Sequence, residues 1–321
     1  MKTKILIADK FPDKYLDELK NLDVEVKYSP KLGESDLQEA VKDATILVVR
    51  STIVNETTIN NTGNLQVIIR AGAGVNNIAI PAASAKSVSV ANCPGKNSVA
   101  VAELAIGLMV SLDRRIPDNV NDFKSGKWNK AEYSKAEGLK GKTLGVVGVG
   151  NIGKEVAKRA AAFDMKVYGY DIIRLDDVQL EYVDTINEIL PKCDVISIHL
   201  PANEKTKGIF NKELFGLMKP NAFMINTSRA GVINEEAMLE AIKEKNIRVA
   251  LDVFNDEPEA KTGEVTSSLT SNPNVYITHH IGASTTQAQN AVAEETINII
   301  KHFVDGGVVD NCVNKAELAS A

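Results

Sequence analysis

The chain has 321 residues, with 37 Lys and Arg against 42 Asp and Glu, a formal charge of −5. At roughly 100–200 residues per domain, that length implies two domains with ample apolar cores, and a near-average composition argues against a disordered, collagenous or coiled-coil chain. A pI of 5.6 removes the broad basic footprint of a nucleic-acid binder, while leaving room for a local basic pocket.

The first apolar run, Ile5–Ala8, stops at Asp9 and is too short for a signal-peptide core. Short β-rich runs at Lys4–Ala8, Val24–Tyr28, Thr45–Val49 and Gln66–Arg70 predict strands, with helices over Pro12–Asn21 and Glu34–Lys42. Asn97–Arg115 predicts a long apolar-faced helix. Its apolar stretch Val99–Leu112 carries Glu103 and falls short of the ~20 residues that span a bilayer, so no membrane partner is expected. The segment Asn119–Leu139 holds the single tryptophan, Trp128. Strand signals resume at Thr143–Val147, Lys166–Tyr170, Asp194–Ile198, Asn221–Asn226, Val249–Val253 and Val275–Ile277. Ser284–Phe303 predicts a closing helix, capped by a Ser-Thr-Thr cluster and ending before Gly306-Gly307. Two blocks of strand–helix alternation argue for two parallel sheets covered by helices. Cys93, Cys193 and Cys312 are too few and too scattered for a disulfide framework or a zinc site. No metal is expected, and reduced thiols suit a cytoplasmic protein.

The sharpest local signal is Gly148-Val149-Gly150-Asn151-Ile152-Gly153, which follows one strand and opens a helix. The next strand ends on Asp171. This is a dinucleotide fingerprint in its full βαβ setting. The first glycine makes the tight turn, the second admits a pyrophosphate to the backbone, and the third lets helix and strand meet closely. The helix N-terminus offers N–H groups and partial positive charge to the phosphates. The Asp171 carboxylate suits ribose hydroxyls and repels a 2′-phosphate, so NAD is expected rather than NADP.

Charged groups cluster at strand ends. Arg229 follows the strand ending at Asn226, Asp252 follows Leu251, Glu257 lies in the turn beyond, and His280 follows the strand ending at Ile277. Ligands bind outside the carboxyl ends of open parallel sheets. Arginine suits a carboxylate or a developing carbonyl, histidine suits proton transfer at neutral pH, and a carboxylate beside it favours its protonated form.

In order, Gly148–Gly153 with Asp171, Asn226–Gly231, Ala250–Phe254 through Glu257-Pro258, and His280–Thr285 resemble the D-isomer-specific 2-hydroxyacid dehydrogenases. The resemblance covers nearly the whole chain. It implies that His280 is the general acid/base, Glu257 its partner, and Arg229 the group that binds the substrate carboxylate and polarises the reacting oxygen. It also implies that Asp252 holds the nicotinamide carboxamide and that Pro201 and Thr206 lie along the cofactor. Val49–Thr52, Arg70–Asn77 and Asn97–Glu103 are similar to the branch of the family whose substrate carries a phosphate. That likeness implies that the backbone of Ala71-Gly72 binds the substrate carboxylate and that Arg50 and Arg70 lie near the phosphate. Three positions depart from the pattern: Ala230 within Arg229–Gly231, His279 where a proline is usual before the catalytic histidine, and Ala79 in place of an aspartate.

The expected fold is therefore α/β: two doubly wound parallel-sheet domains, Rossmann-like and flavodoxin-like, with an inter-domain cleft. The resemblance implies that residues 1–95 and 287–321 form a discontinuous substrate-binding domain and 96–286 an NAD-binding domain. The expected reaction is oxidation of 3-phospho-D-glycerate to 3-phosphohydroxypyruvate with NAD, the entry to serine synthesis. The resemblance also implies a homodimer or higher homo-oligomer built on the helix from Asn97 and the arm through Trp128. A glyoxylate/hydroxypyruvate reductase or D-lactate-type enzyme is the nearest alternative, and an NAD-sensing corepressor-type protein a more distant one. Because the chain ends soon after its last helix, no C-terminal regulatory ACT domain is expected.

Overall fold

The structure is a computed structural model that describes residues 2–258 and 262–319. The chain separates into two compact units, Met1–Asn97 with Ser284–Ala321, and Ser98–Ala283. The divisions fall at 97/98 and 283/284 rather than at the expected 95/96 and 286/287, because the long helix of the second unit starts at Ser98 and the returning helix is capped from Thr285.

The first unit alternates β1 (Thr3–Ile7), α1 (Asp13–Leu19), β2 (Val24–Tyr28), α2 (Glu34–Ala40), β3 (Ile46–Val49), α3 (Glu56–Asn60), β4 (Val67–Arg70), α4 (Ile80–Ala85) and β5 (Ser89–Asn92). All its strand pairs are parallel, in the order β2-β1-β3-β4-β5. The central strand β3, Ile-Leu-Val-Val, is buried at every position, as a strand covered by helices on both faces must be. One core layer gathers Ile5, Ile7, Ile46, Val48, Val67 and Ile69, and the opposite layer Leu6, Leu47, Val49, Ile68 and Val90. This is the period-2 alternation of strand side chains expressed on two buried faces.

The second unit opens with α5 (Ser98–Arg114), α6 (Ile116–Lys124) and α7 (Lys130–Tyr133), so the segment around Trp128 is partly helical. It continues with β6 (Thr143–Val147), α8 (Asn151–Ala161), β7 (Lys166–Tyr170), β8 (Glu181–Tyr182), α9 (Ile186–Ile189), β9 (Val195–Ile198), α10 (Lys212–Leu217), β10 (Phe223–Asn226), α11 (Glu235–Lys245), β11 (Arg248–Leu251) and β12 (Val275–Ile277). Its seven strands run in the order β12-β11-β10-β9-β6-β7-β8, all parallel. The order reverses between β6 and β9, the switch point of a doubly wound sheet. Asparagines start several helices: Asn55, Asn211 and Asn234 each accept an N–H from three residues on, relieving donors that the first helical turn leaves unpaired.

The chain then returns to the first unit through α12 (Thr286–Gly306) and α13 (Lys315–Leu318). The Thr285 side chain caps α12 as expected, but the helix runs on through Gly306. Only Gly307 takes the left-handed conformation, at φ +69°, that ends it. No helix among the described residues is long and apolar enough to cross a membrane.

Candidate active site

In the second unit the glycine turn sits at the carboxyl end of β6. Gly148 has φ +96°, and a Cβ there would lie 2.7 Å from the His199 carbonyl oxygen. A Cβ on Gly153 would lie 2.0 Å from the Gly148 carbonyl oxygen, so helix and turn touch without room for a methyl group. Around Gly150 nothing lies within 4 Å. It serves as the N-cap of α8 without a side-chain cap, leaving the first-turn N–H groups beyond it, from Asn151 and Ile152 to Gly153, for an anion. Asp171 braces this turn. It accepts the Val149 N–H at 2.6 Å and the Ile173 N–H at 3.1 Å, and its oxygens keep further acceptor capacity. Arg174 makes an exposed ion pair with Asp184 and lies over the Tyr182 ring at 5.6 Å.

Two buried polar atoms just past the carboxyl ends of β9 and β10 lack a hydrogen-bond partner among the described residues, His199 Nδ1 and Thr227 Oγ1. They follow the ends of neighbouring strands, since Ile198 and Asn226 are in register. The other imidazole nitrogen, Nε2, lies 2.8 Å from Ser197 Oγ, and burial pushes the His199 pKa down to about 3, so the ring is neutral. Unmet polar atoms beside an open glycine cradle fit a bound dinucleotide. Sequence reasoning passed over His199. The available signal was a polar residue directly after a β-rich run, Val195–Ile198, at the carboxyl end of a central strand. In the loop beyond, the Thr206 hydroxyl donates to the Pro201 carbonyl at 2.6 Å.

The charged groups of this unit are held by buried polar residues. Asn226, fully buried, accepts the Ser228 N–H and hydroxyl at 3.0 and 2.7 Å and donates to the Arg229 carbonyl at 2.9 Å. The Arg229 guanidinium donates to the Ser228 carbonyl at 2.7 Å. Burial lowers its pKa, against the charge of Glu257, yet an arginine stays cationic. Asp252 is only 1% exposed. It accepts the Thr278 hydroxyl at 2.6 Å, the Ile281 N–H at 2.9 Å and the Gly282 N–H at 2.8 Å. It therefore clasps both sides of His280, whose φ of +51° is rare for a residue with a Cβ. That engagement was not foreseen. The resemblance implied only a contact with the nicotinamide carboxamide.

His280 Nδ1 lies 2.8 Å from Glu257 Oε2, while Glu257 Oε1 accepts the Phe254 N–H at 3.0 Å. The hydrogen bond to Glu257 raises the His280 pKa, against partial burial. Burial pushes the Glu257 carboxyl up, but its bonds to His280 and the Phe254 N–H outweigh that and hold it below its ordinary value. With Nδ1 committed, Nε2 is the nitrogen left to exchange a proton.

In the first unit, Arg50 ends the run after β3 and Arg70 ends β4. The Arg50 guanidinium makes no ion pair among the described residues. The Arg70 guanidinium lies against Gly72, so closely that a Cβ on Gly72 would fall 1.5 Å from Nη1. The backbone donors expected of Ala71 and Gly72 are already engaged: the Ala71 N–H donates to the Val49 carbonyl and the Gly72 N–H to the Arg70 carbonyl, both at 2.7 Å. This corrects the expectation for those two residues. Sheet pairing and a tight turn consume their N–H groups before a ligand arrives. Asp9, also unforeseen, accepts three backbone N–H groups of the Arg50 loop.

Residues 106–282 match the family model of the D-isomer specific 2-hydroxyacid dehydrogenase, NAD binding domain. The D-3-phosphoglycerate dehydrogenase of Methanocaldococcus jannaschii is 41% identical, over 97% of this chain and 59% of its own length. The present chain thus spans about three fifths of that relative. The hydroxypyruvate reductase of Thermotoga maritima is 42% identical over 85% of this chain and 89% of its own. The NAD+-bound 3-phosphoglycerate dehydrogenase of Entamoeba histolytica superposes with a TM-score of 0.81 at 29% identity, covering 98% of this chain and 99% of that one. NAD is the cofactor. The chain belongs to the D-isomer-specific 2-hydroxyacid dehydrogenase family.

Proposed function

We propose that the chain catalyses NAD-dependent oxidation of 3-phospho-D-glycerate to 3-phosphohydroxypyruvate, the first step of serine biosynthesis. The observation that carries the acid–base part is the 2.8 Å bond between His280 Nδ1 and Glu257. It fixes the imidazole and leaves Nε2 to take the substrate hydroxyl proton. Bound NAD supplies the hydride acceptor. Arg229 holds the carboxylate and stabilises negative charge on the oxygen as the carbonyl forms. Glu257 stabilises the imidazolium that results. In the reverse direction protonated His280 is the acid. Asp252, with one hydrogen bond on Oδ2, keeps an acceptor position for the nicotinamide carboxamide, while Pro201 and Thr206 flank the cofactor.

Two arginines favour a phosphorylated acid. Arg50 and Arg70 supply the charge that a phosphate needs. A phosphate-free acid needs neither arginine. The deciding experiment compares kcat/KM for phosphohydroxypyruvate and hydroxypyruvate with NADH. Strong preference for the phosphorylated acid is expected. Equal efficiency favours a hydroxypyruvate reductase, the activity named for one close relative. We also infer a dimer, on the support of the exposed Phe123 and Trp128 in the α6–α7 arm, and a cytoplasmic location, on the support of free thiols.

Gly72→Ala tests the phosphate site. The methyl group collides with the Arg70 side-chain tip, so Arg70 swings away, and at φ +157° the added Cβ also strains the backbone, so the melting temperature should fall. Loss of one charge-assisted contact is worth ~1.5–3 kcal/mol, so KM for the phosphorylated acid should rise about 10- to 100-fold while KM for hydroxypyruvate changes far less. An unchanged KM removes Arg70 from the phosphate.

Asp171→Ala should narrow the preference for NAD over NADP by at least ~10-fold, since it removes both the ribose acceptor and the repulsion of a 2′-phosphate. It should not produce a good NADP enzyme, because Arg174 remains paired with Asp184. Undiminished discrimination would separate Asp171 from cofactor choice.

A further inference from the structure

We propose that Asp9 is the positioning residue of the substrate-anion site: its buried carboxylate gathers the backbone of the Arg50 loop and thereby aims the Arg50 side chain. The role of Arg50 rests on the function proposed above; the clasp itself does not.

Asp9 stands just beyond β1, and Arg50 just beyond β3. These adjacent strands mark the place where the order of the first sheet reverses, which is where a doubly wound sheet offers a crevice to a ligand. Asp9 Oδ2 accepts three consecutive N–H groups, from Arg50 at 2.7 Å and from Ser51 and Thr52 at 3.0 Å. Oδ1 accepts the Ser51 hydroxyl at 3.1 Å. Consecutive N–H groups converging on one point form a nest that commonly binds an external anion. Here the nest is filled from within by the protein's own carboxylate, which is only 7% exposed. Those amides are therefore turned inward, and the loop presents its side chain to the ligand.

The clasp continues into the glycine loop. The Thr52 carbonyl accepts from Asn77 Nδ2 at 2.7 Å, the Val54 N–H donates to the Asn77 carbonyl at 2.8 Å, and Asn92 Nδ2 donates to the Ala73 carbonyl at 2.6 Å. Asp9 thus sits at the head of a chain of hydrogen bonds that joins the loop of Arg50 to the loop following Arg70. Direct contact of Asp9 with an anionic substrate is unfavourable, because a carboxylate repels a phosphate and both its oxygens are already bonded. Its effect reaches the substrate through Arg50.

The test compares Asp9→Ala and Asp9→Asn in the full 321-residue chain. The asparagine can keep the clasp: its oxygen takes the three N–H groups and its amide donates to Ser51 Oγ. With Asp9→Ala, KM for phosphohydroxypyruvate should rise at least ~10-fold, while KM for NADH and kcat with hydroxypyruvate stay within about twofold of wild type. Asp9→Asn should restore most of the KM. Hydrogen exchange should show the amides of Arg50, Ser51 and Thr52 losing protection in the alanine variant alone. Wild-type KM in a folded Asp9→Ala protein with those amides exposed overturns the proposal. So does a parallel loss of NADH and substrate binding in both variants, which marks a general structural role. If wild type uses both acids equally, the phosphate reading fails. The exchange pattern then decides on its own whether Asp9 holds the Arg50 loop: protection lost in Asp9→Ala alone upholds the clasp, and protection unchanged in both variants overturns it.

Discussion

Replacing His280 with alanine is expected to lower kcat by ~10²–10⁴, the usual contribution of a positioned acid or base, with little change in the affinity for NADH. The imidazole is built for one exchange. Nδ1 is committed to Glu257, the backbone is held at φ +51°, and Asp252 grips the residues on either side. Alanine removes the proton acceptor and leaves this frame standing, because its strongest bonds run to backbone N–H groups and to Thr278. The pH profile supplies a second, independent reading. Oxidation needs neutral His280, and the pKa of that ring is raised above 6.5, chiefly by the bond to Glu257 and against the effect of burial. The oxidative rate should therefore climb as pH rises through the raised value, and the reductive rate should fall across the same range. Glu257→Gln removes the main cause of the shift while burial remains. Both limbs should move to lower pH, and reduction near neutrality should suffer most. A His280→Ala enzyme that turns over like wild type, or a Glu257→Gln profile that does not move, would end the assignment of this pair.

Much of the fold was legible because parallel strands covered on both faces must be apolar throughout. Strands β6 and β7 have the expected bounds, Thr143–Val147 and Lys166–Tyr170, and β3 is an unbroken apolar run. The elements that escaped notice lack that pattern. β5 reads Ser-Val-Ala-Asn, and β8 is two residues, Glu-Tyr. Both are edge strands, where packing constrains the sequence least. In the site, the groups that do chemistry were visible because their residue types are costly anywhere else. The bonds that hold them were not. Asp9 and Asp252 are buried carboxylates whose partners are mainly backbone N–H groups forty or thirty residues away, and a backbone donor leaves no trace in residue identity. The availability of the Ala71 and Gly72 amides was misjudged for the same reason.

Gly153→Ala and Gly150→Ala should both impair NADH binding, by separable routes. A methyl group on Gly153 meets the Gly148 carbonyl oxygen at 2.0 Å and its carbon at 3.0 Å. Those atoms are backbone, and Gly148 has no freedom to retreat, because a Cβ placed on it already falls 2.7 Å from the His199 carbonyl. The helix must instead lift from the turn. Forced overpacking of this kind costs ~1–3 kcal/mol, so the melting temperature of Gly153→Ala should drop by several degrees. The displaced turn should lose its N–H contacts with the pyrophosphate as well. At ~1.5–3 kcal/mol for each hydrogen bond to a charged group, losing two raises the dissociation constant of NADH by ~10²–10⁴. Gly150 is different. Its backbone, φ −74° and ψ −158°, suits any residue, and nothing in the protein lies within 4 Å of an added Cβ. Gly150→Ala should therefore melt like wild type and still bind NADH at least ~10-fold more weakly, because its methyl group occupies the space of the pyrophosphate itself. Titration of NADH by nicotinamide fluorescence, paired with a thermal melt, separates the two effects. Equal destabilisation by both substitutions would contradict the packing described around Gly153, and undiminished NADH affinity in Gly150→Ala would place the cofactor elsewhere.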